Sequence, residues 1–198
     1  MSIRKNAVFF GTFLIYEKGM VINMKKSRTY KVVWSGLFIA LGVVLPFLTG
    51  QIQSIGSMLL PMHLPVLLCG FICGGPYGLA VGFIVPLLRS VLFGMPPMFP
   101  VAVSMAFELA VYGFVTGFLY NRLPKKNSMI YIALIAAMII GRIVAGAVNV
   151  VLYGIEGSGY SVQMFMAGMF VNAIPGIILQ LVLIPLLIII FRKSKVME

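Results

Sequence analysis

Aspartate is absent from this 198-residue chain, acidic residues number only four, and there is one histidine and two cysteines. Acid–base and metal chemistry therefore have few side chains to draw on. No His-Glu-x-x-His pair and no Gly-x-Ser-x-Gly elbow occurs, which argues against metalloprotease and serine-hydrolase chemistry. Nor is there a Gly-x-x-x-x-Gly-Lys-Ser/Thr sequence, so the chain has no phosphate loop of its own for ATP hydrolysis. Cys69 and Cys73 stand four apart in an apolar run. A helix stacks them on one face but holds their backbones too far apart and too rigidly for a disulfide. With His63 they are too few for a structural metal site, and packing is the reading they support. No cofactor is implied.

What the chain has in abundance is apolar sequence: 61% is hydrophobic and only 10% charged, and the apolar residues lie in runs. That composition marks an integral membrane protein. At about 20 residues per span, the length predicts an all-α, six-transmembrane-helix bundle with short loops. The predicted spans are residues 32–48, 60–72, 77–93, 101–120, 129–153 and 162–191, the last broken by Pro175 and Pro185. The net charge of +11 sits mostly just outside these runs, at Lys25, Lys26, Arg28 and Lys31, at Arg122, Lys125 and Lys126, and at Arg192, Lys193 and Lys195. Such placement predicts cytoplasmic termini and anionic lipid neighbours in the bilayer rather than nucleic acid. The polar segment 49–57 has no positive charge and is expected outside the cell. Residues 1–23 hold an apolar run too short to span, with no good signal-peptide cleavage site after it. Met24-Lys25-Lys26-Ser27-Arg28 reads as an ordinary basic start. Residues 1–23 are accordingly expected to be a non-native or disordered extension to a membrane domain at 24–198.

Within the apolar spans, ionisable and amide side chains require a reason, because an unpaired charge at mid-bilayer costs roughly 3 kcal/mol or more. Helical rise places Arg89 about 6 Å from the outer end of its span, and Glu108 and Arg142 about 10–17 Å down. A Glu108–Arg142 pair is one account of the deeper two, and ligand contact is the other. Arg89 then has no obvious partner. It either snorkels outward or offers a positive charge to an anionic ligand. His63, Asn149 and Gln163 share its depth and would ring an outward-opening pocket with it, or else bond water and backbone at the interface. Asn172 either touches ligand or satisfies backbone freed by Pro175. Tyr77 and Tyr153 read as interfacial anchors. Small residues Gly36 and Ala40, four apart on the first span, suit close helix approach, as do the repeats at Gly74, Gly78 and Gly82 and at Gly113 and Gly117.

Several of these features recur in one order: the small-xxx-small first helix after a basic start, Leu-Pro-Val-Leu-Leu-Cys-Gly-Phe and Gly-Pro-Tyr-Gly-Leu-Ala-Val-Gly-Phe within 64–83, the Met-Pro-Pro turn, Phe-Glu-Leu-Ala-Val-Tyr-Gly at 107–113, and Gly-Arg-Ile-Val at 141–144. Together they resemble the substrate-binding S component of energy-coupling factor (ECF) vitamin transporters. The resemblance implies a multi-pass subunit of a prokaryotic plasma membrane that captures a water-soluble vitamin or precursor from outside. Energy would come from a separate transmembrane T subunit and two ATPase subunits. It also implies that Gly36 and Ala40 dock on the T subunit, although position 36 departs from the alanine often found there. The pattern looks closest to the pantothenate branch, and the excess of Arg89 and Arg142 over Glu108 suits a carboxylate ligand; riboflavin, a folate or a pyrimidine precursor stay open. Two other classes compete. One is a stand-alone ion-coupled carrier or channel using Glu108, against which no inverted repeat is evident. The other is a membrane assembly protein without a ligand.

Overall fold

Apolar runs punctuated by glycine and proline dictate the architecture, and a computed structural model describes it for residues 28–49, 58–157, 159–168 and 172–194. The expectations for residues 1–23, for Met24 and for the polar segment beyond Thr49 lie outside the described residues. The described elements are helices α1 (Arg28–Val44), α2 (His63–Cys73), α3 (Gly75–Phe93), α4 (Val103–Arg122), α5 (Asn127–Ile155), the short α6 (Val162–Met166) and α7 (Ile174–Lys193). Five stretches are long and apolar enough to cross a membrane: Arg28–Phe47, Gly75–Phe93, Met98–Arg122, Asn127–Ile155 and Ile174–Lys193.

Two predicted spans come out differently. The second contracts to α2, whose 11 residues reach only about 16 Å. All of them except Ile72 are buried, and α2 lies among α1, α3, α4 and α7. A helix apolar on every side belongs at the centre of a bundle. The predicted sixth span instead divides into α6 and α7. Pro175 falls in the first turn of α7, where its missing N–H breaks no helical bond, so it starts a helix rather than interrupting one. Gly74 alone separates α2 from α3, at φ 96°, a conformation that a side chain would strain. Pro76 then occupies the opening turn of α3.

The backbones of α2, α3 and α4 touch. A methyl group added at Gly113 would overlap the Gly78 carbonyl, one at Gly82 the Leu109 carbonyl, and one at Gly117 the Gly75 amide. Gly70 of α2 similarly faces the Gly113 carbonyl and Thr116 of α4. With no hydrophobic effect to draw helices together in lipid, this close contact is what holds them. Cys69 and Cys73 are free and buried in α2, with Cys69 Sγ 3.8 Å from Ser35 Oγ.

The basic ends gather at one end of the bundle. Lys31 sits over the Tyr77 ring at 5.6 Å, the Trp34 and Phe191 rings meet edge-on at 6.1 Å, and Arg192 bonds Tyr120. The starts of α1, α3 and α5 and the ends of α4 and α7 therefore share that end. Those of α2, α4 and α7 begin at the other.

The glycine contacts make a direct prediction. Gly113→Ala should destabilise the protein by about 1–3 kcal/mol through overpacking, read as a lower melting temperature in detergent. Gly154→Ala, where nothing stands within 4 Å, should leave it unchanged or slightly raised.

Candidate functional site

Helix α4 carries a polar stripe at the four-residue spacing that keeps side chains on one face: Ser104, Glu108, Tyr112, Thr116 and Tyr120, all buried. Thr116 satisfies itself, donating to the Tyr112 carbonyl at 2.8 Å on its own helix. Glu108 and Tyr112 instead meet neighbours. The Glu108 Oε1 lies 3.9 Å from His63 Nε2, and the His63 and Tyr112 rings stand 5.3 Å apart. From α5, Arg142 Nε donates to the Tyr112 hydroxyl at 3.0 Å. Glu108 and Arg142 thus belong to one cluster, joined there by Tyr112 and His63.

Two buried side chains stand out by what they do not bond. His63 is 1% exposed and Gln180 of α7 is 0% exposed, yet neither ring nitrogen of His63 and neither amide atom of Gln180 has a hydrogen-bond partner. The 3.9 Å His63–Glu108 separation is too long for a hydrogen bond. Buried polar groups left unbonded cost roughly 1–3 kcal/mol each, so such groups call for an explanation. Gly176 packs against the backbone of Met58 and Leu59, in the segment that leads into α2 at His63, and Gln180 follows Gly176 by one turn on the buried face of α7. That helix rests on α2 and α5. Both Glu108 and Gln180 lie about 8–9 Å into their helices from the end remote from the basic residues.

Further along α5, Asn149 Nδ2 donates to the Tyr160 hydroxyl at 3.4 Å, and the Tyr160 and Tyr153 rings stack at 5.2 Å. Burial raises the Tyr160 pKa from its ordinary value, its bond from Asn149 opposes the rise, and the charges of Tyr153 and Glu108 add to it. Asn149 stands about two turns beyond Arg142 on α5, so it and Tyr160 form a separate contact further along that helix. Beside them is an open, largely apolar groove of ≈ 330 Å³ between Ile143, Gly146 and Val150 of α5 and Val162 and Phe165.

Of the residues singled out in the sequence, His63, Glu108 and Arg142 come together here, while Asn149 contacts Tyr160 further along α5. Arg89 joins neither group. Its Nη1 donates to the Val43 carbonyl at 2.7 Å, and its guanidinium lies 5.1 and 5.7 Å from the Phe47 and Phe93 ring centroids. Arg89 thus closes the end of α1, where unpaired carbonyls and the helix dipole favour a cation. Gln163 is exposed on α6, and exposed Asn172 contributes its backbone N–H to the Ala167 carbonyl at 2.9 Å. Tyr112, Tyr160 and Gln180 were not singled out beforehand. Tyr112 was legible as one turn beyond Glu108. Gln180 was legible as the one amide in the 20-residue α7.

Removing the Arg142 acceptor by Tyr112→Phe should cost about 1.5–3 kcal/mol, as for a hydrogen bond to a charged group. Thr116→Val should cost less than Tyr112→Phe. Thermal unfolding of the two variants in parallel checks the order.

A multi-spanning helical membrane protein with a polar cluster closed inside its apolar bundle is the class that fold and site define. The family described as ECF transporter, substrate-specific component matches residues 30–188, and the chain belongs to that family. It is therefore the substrate-specific subunit of a transporter. No curated protein and no solved structure matches it.

Proposed function

We propose that the chain captures a water-soluble vitamin or vitamin precursor from outside the cell. Its ligand is held by His63, Glu108, Tyr112, Arg142, Asn149 and Gln180, and separate T and ATPase subunits supply the energy. The observation that carries this reading is the set of unbonded polar atoms on the buried side chains of His63 and Gln180, in a family of substrate-specific subunits. A polar ligand would satisfy both.

The site's chemistry narrows the ligand. With Arg89 engaged by α1, the cluster holds one guanidinium, one carboxylate and one imidazole, without the surplus positive charge that would select a simple carboxylate. It suits a ligand carrying both donors and acceptors, since the Gln180 amide offers one of each. Pantothenate fits that description through its amide and hydroxyl groups, and so do flavin and pyrimidine rings.

Orientation follows from the charges. The basic end faces the cytoplasm by the positive-inside rule, so both termini are cytoplasmic and the cluster lies in the outer half. The short α2, with the turn that precedes it, completes a sixth crossing. Partner docking falls to α1, only 17% of whose membrane-length stretch is buried, against 50% for those of α4 and α5. Gly36 and Ala40 are exposed, and nothing stands within 4 Å of a methyl group placed at Gly36. Gly42, in contrast, packs inward against Val85.

Native mass spectrometry of the detergent-purified chain, followed by denaturation, tests the binding role. A retained small molecule, lost in Gln180→Leu and Arg142→Gln but kept by folded Arg89→Ala, is the expected result. A protein that stays free of ligand across a panel of vitamins, or that transports alone in proteoliposomes, would contradict it. Gly36→Trp should abolish copurification with the partner subunits while leaving ligand retention intact.

A further inference from the structure

The ends of α4 and α7 and the start of α5 meet around one tyrosine. Lys125 Nζ donates to the Tyr120 carbonyl at 2.6 Å and lies 3.7 Å from the centre of its ring. Arg192 Nε donates to the Tyr120 hydroxyl at 2.8 Å, and Arg192 Nη1 to Asn127 Oδ1 at 3.1 Å. The third guanidinium nitrogen, Nη2, is shielded from solvent and has no hydrogen-bond partner. Two cations are thus held against one side chain, where mutual repulsion disfavours them. Burial lowers the Lys125 pKa, and the Arg192 charge lowers it further. Neither described glutamate relieves this: Glu108 belongs to the cluster above, and Glu156 follows the far end of α5.

We infer that Tyr120, Lys125 and Arg192 form a binding site for the phosphate of an anionic phospholipid headgroup. A phosphate oxygen accepts from both cations at once, and the planar guanidinium suits it. A lipid is favoured over free phosphate or an acidic protein segment because of where the site lies. Arg192 is one residue from the end of α7, at the level where headgroups sit, and exposed apolar residues continue from it along the bundle: Ile190 and Leu186 on α7, Tyr131 and Ile135 on α5. Those residues would line the acyl chains. Basic pockets between helices at the cytoplasmic face are where such headgroups bind.

Native mass spectrometry of the full chain released from mixed phosphatidylcholine and phosphatidylglycerol micelles tests this. The wild type should retain phosphatidylglycerol preferentially. Arg192→Gln and Lys125→Gln should each lower that preference about tenfold, as for one charge-assisted hydrogen bond. Lys193→Gln removes an equal charge at an exposed neighbouring position and should change it little. Equal effects at 192 and 193 would mean diffuse surface charge and overturn the site. Displacement of the lipid by inorganic phosphate would assign the site to a free anion, and displacement by polyglutamate would assign it to a protein partner; either overturns the lipid assignment. If the glutamine variants do not fold, Arg192→Lys keeps the charge and loses the fork. A lowered preference then supports the site and an unchanged one overturns it.

Discussion

Backbone contact between α2, α3 and α4 is the constraint on which the rest of the structure depends. Gly70, Gly78, Gly82, Gly113 and Gly117 leave no room for even a methyl group between these helices. Close approach brings the polar face of α4 against the first residue of α2, and so sets Glu108 and Tyr112 beside His63. Arg142 reaches the same place from α5. Were the helices held at the usual 8–10 Å by larger side chains, these groups would be spread through hydrocarbon, each at a cost of several kcal/mol. Packing and polarity are therefore one problem in this protein. The glycines make the cluster tolerable, and the cluster leaves unbonded the atoms that a ligand would take.

The molecule divides its tasks along the bundle axis. The half remote from the basic residues holds polar atoms without partners, at His63 and Gln180. At the other end, Arg192, bonded to Tyr120 and Asn127, ties α7 to α4 and α5. Between them α1 stays peripheral. It turns Phe38, Gly42 and Val43 inward and leaves Gly36 and Ala40 on its exposed side. That exposed side is the face assigned above to partner docking.

Most of the membrane architecture was legible as runs of apolar residues, because a bilayer admits few alternatives to a helix. Where the reading went astray, local chemistry was ambiguous. A proline in an apolar run marks either a kink or a helix start. Pro175 proved to be a start, which moved the last long helix to Ile174. The length of α2 could not be judged from hydropathy, since a short central helix and a spanning one are equally apolar. For the site, depth alone put Glu108 and Arg142 at one level, and in the structure Arg142 bonds Tyr112, one turn along α4 from Glu108. Depth could not say which way a side chain turns. Arg89 lies on a face toward α1 and is consumed there by the Val43 carbonyl, while Gln180, uncharged and inconspicuous in sequence, points into the core.

The central claim is that the unbonded groups of His63 and Gln180 belong to a ligand site, and a structure of the protein with its retained ligand tests this most directly. Density for a small molecule within hydrogen-bond distance of both side chains is the predicted result. Density seated instead against Arg89, or in the apolar groove beside Phe165, with His63 and Gln180 still unbonded, would contradict the account.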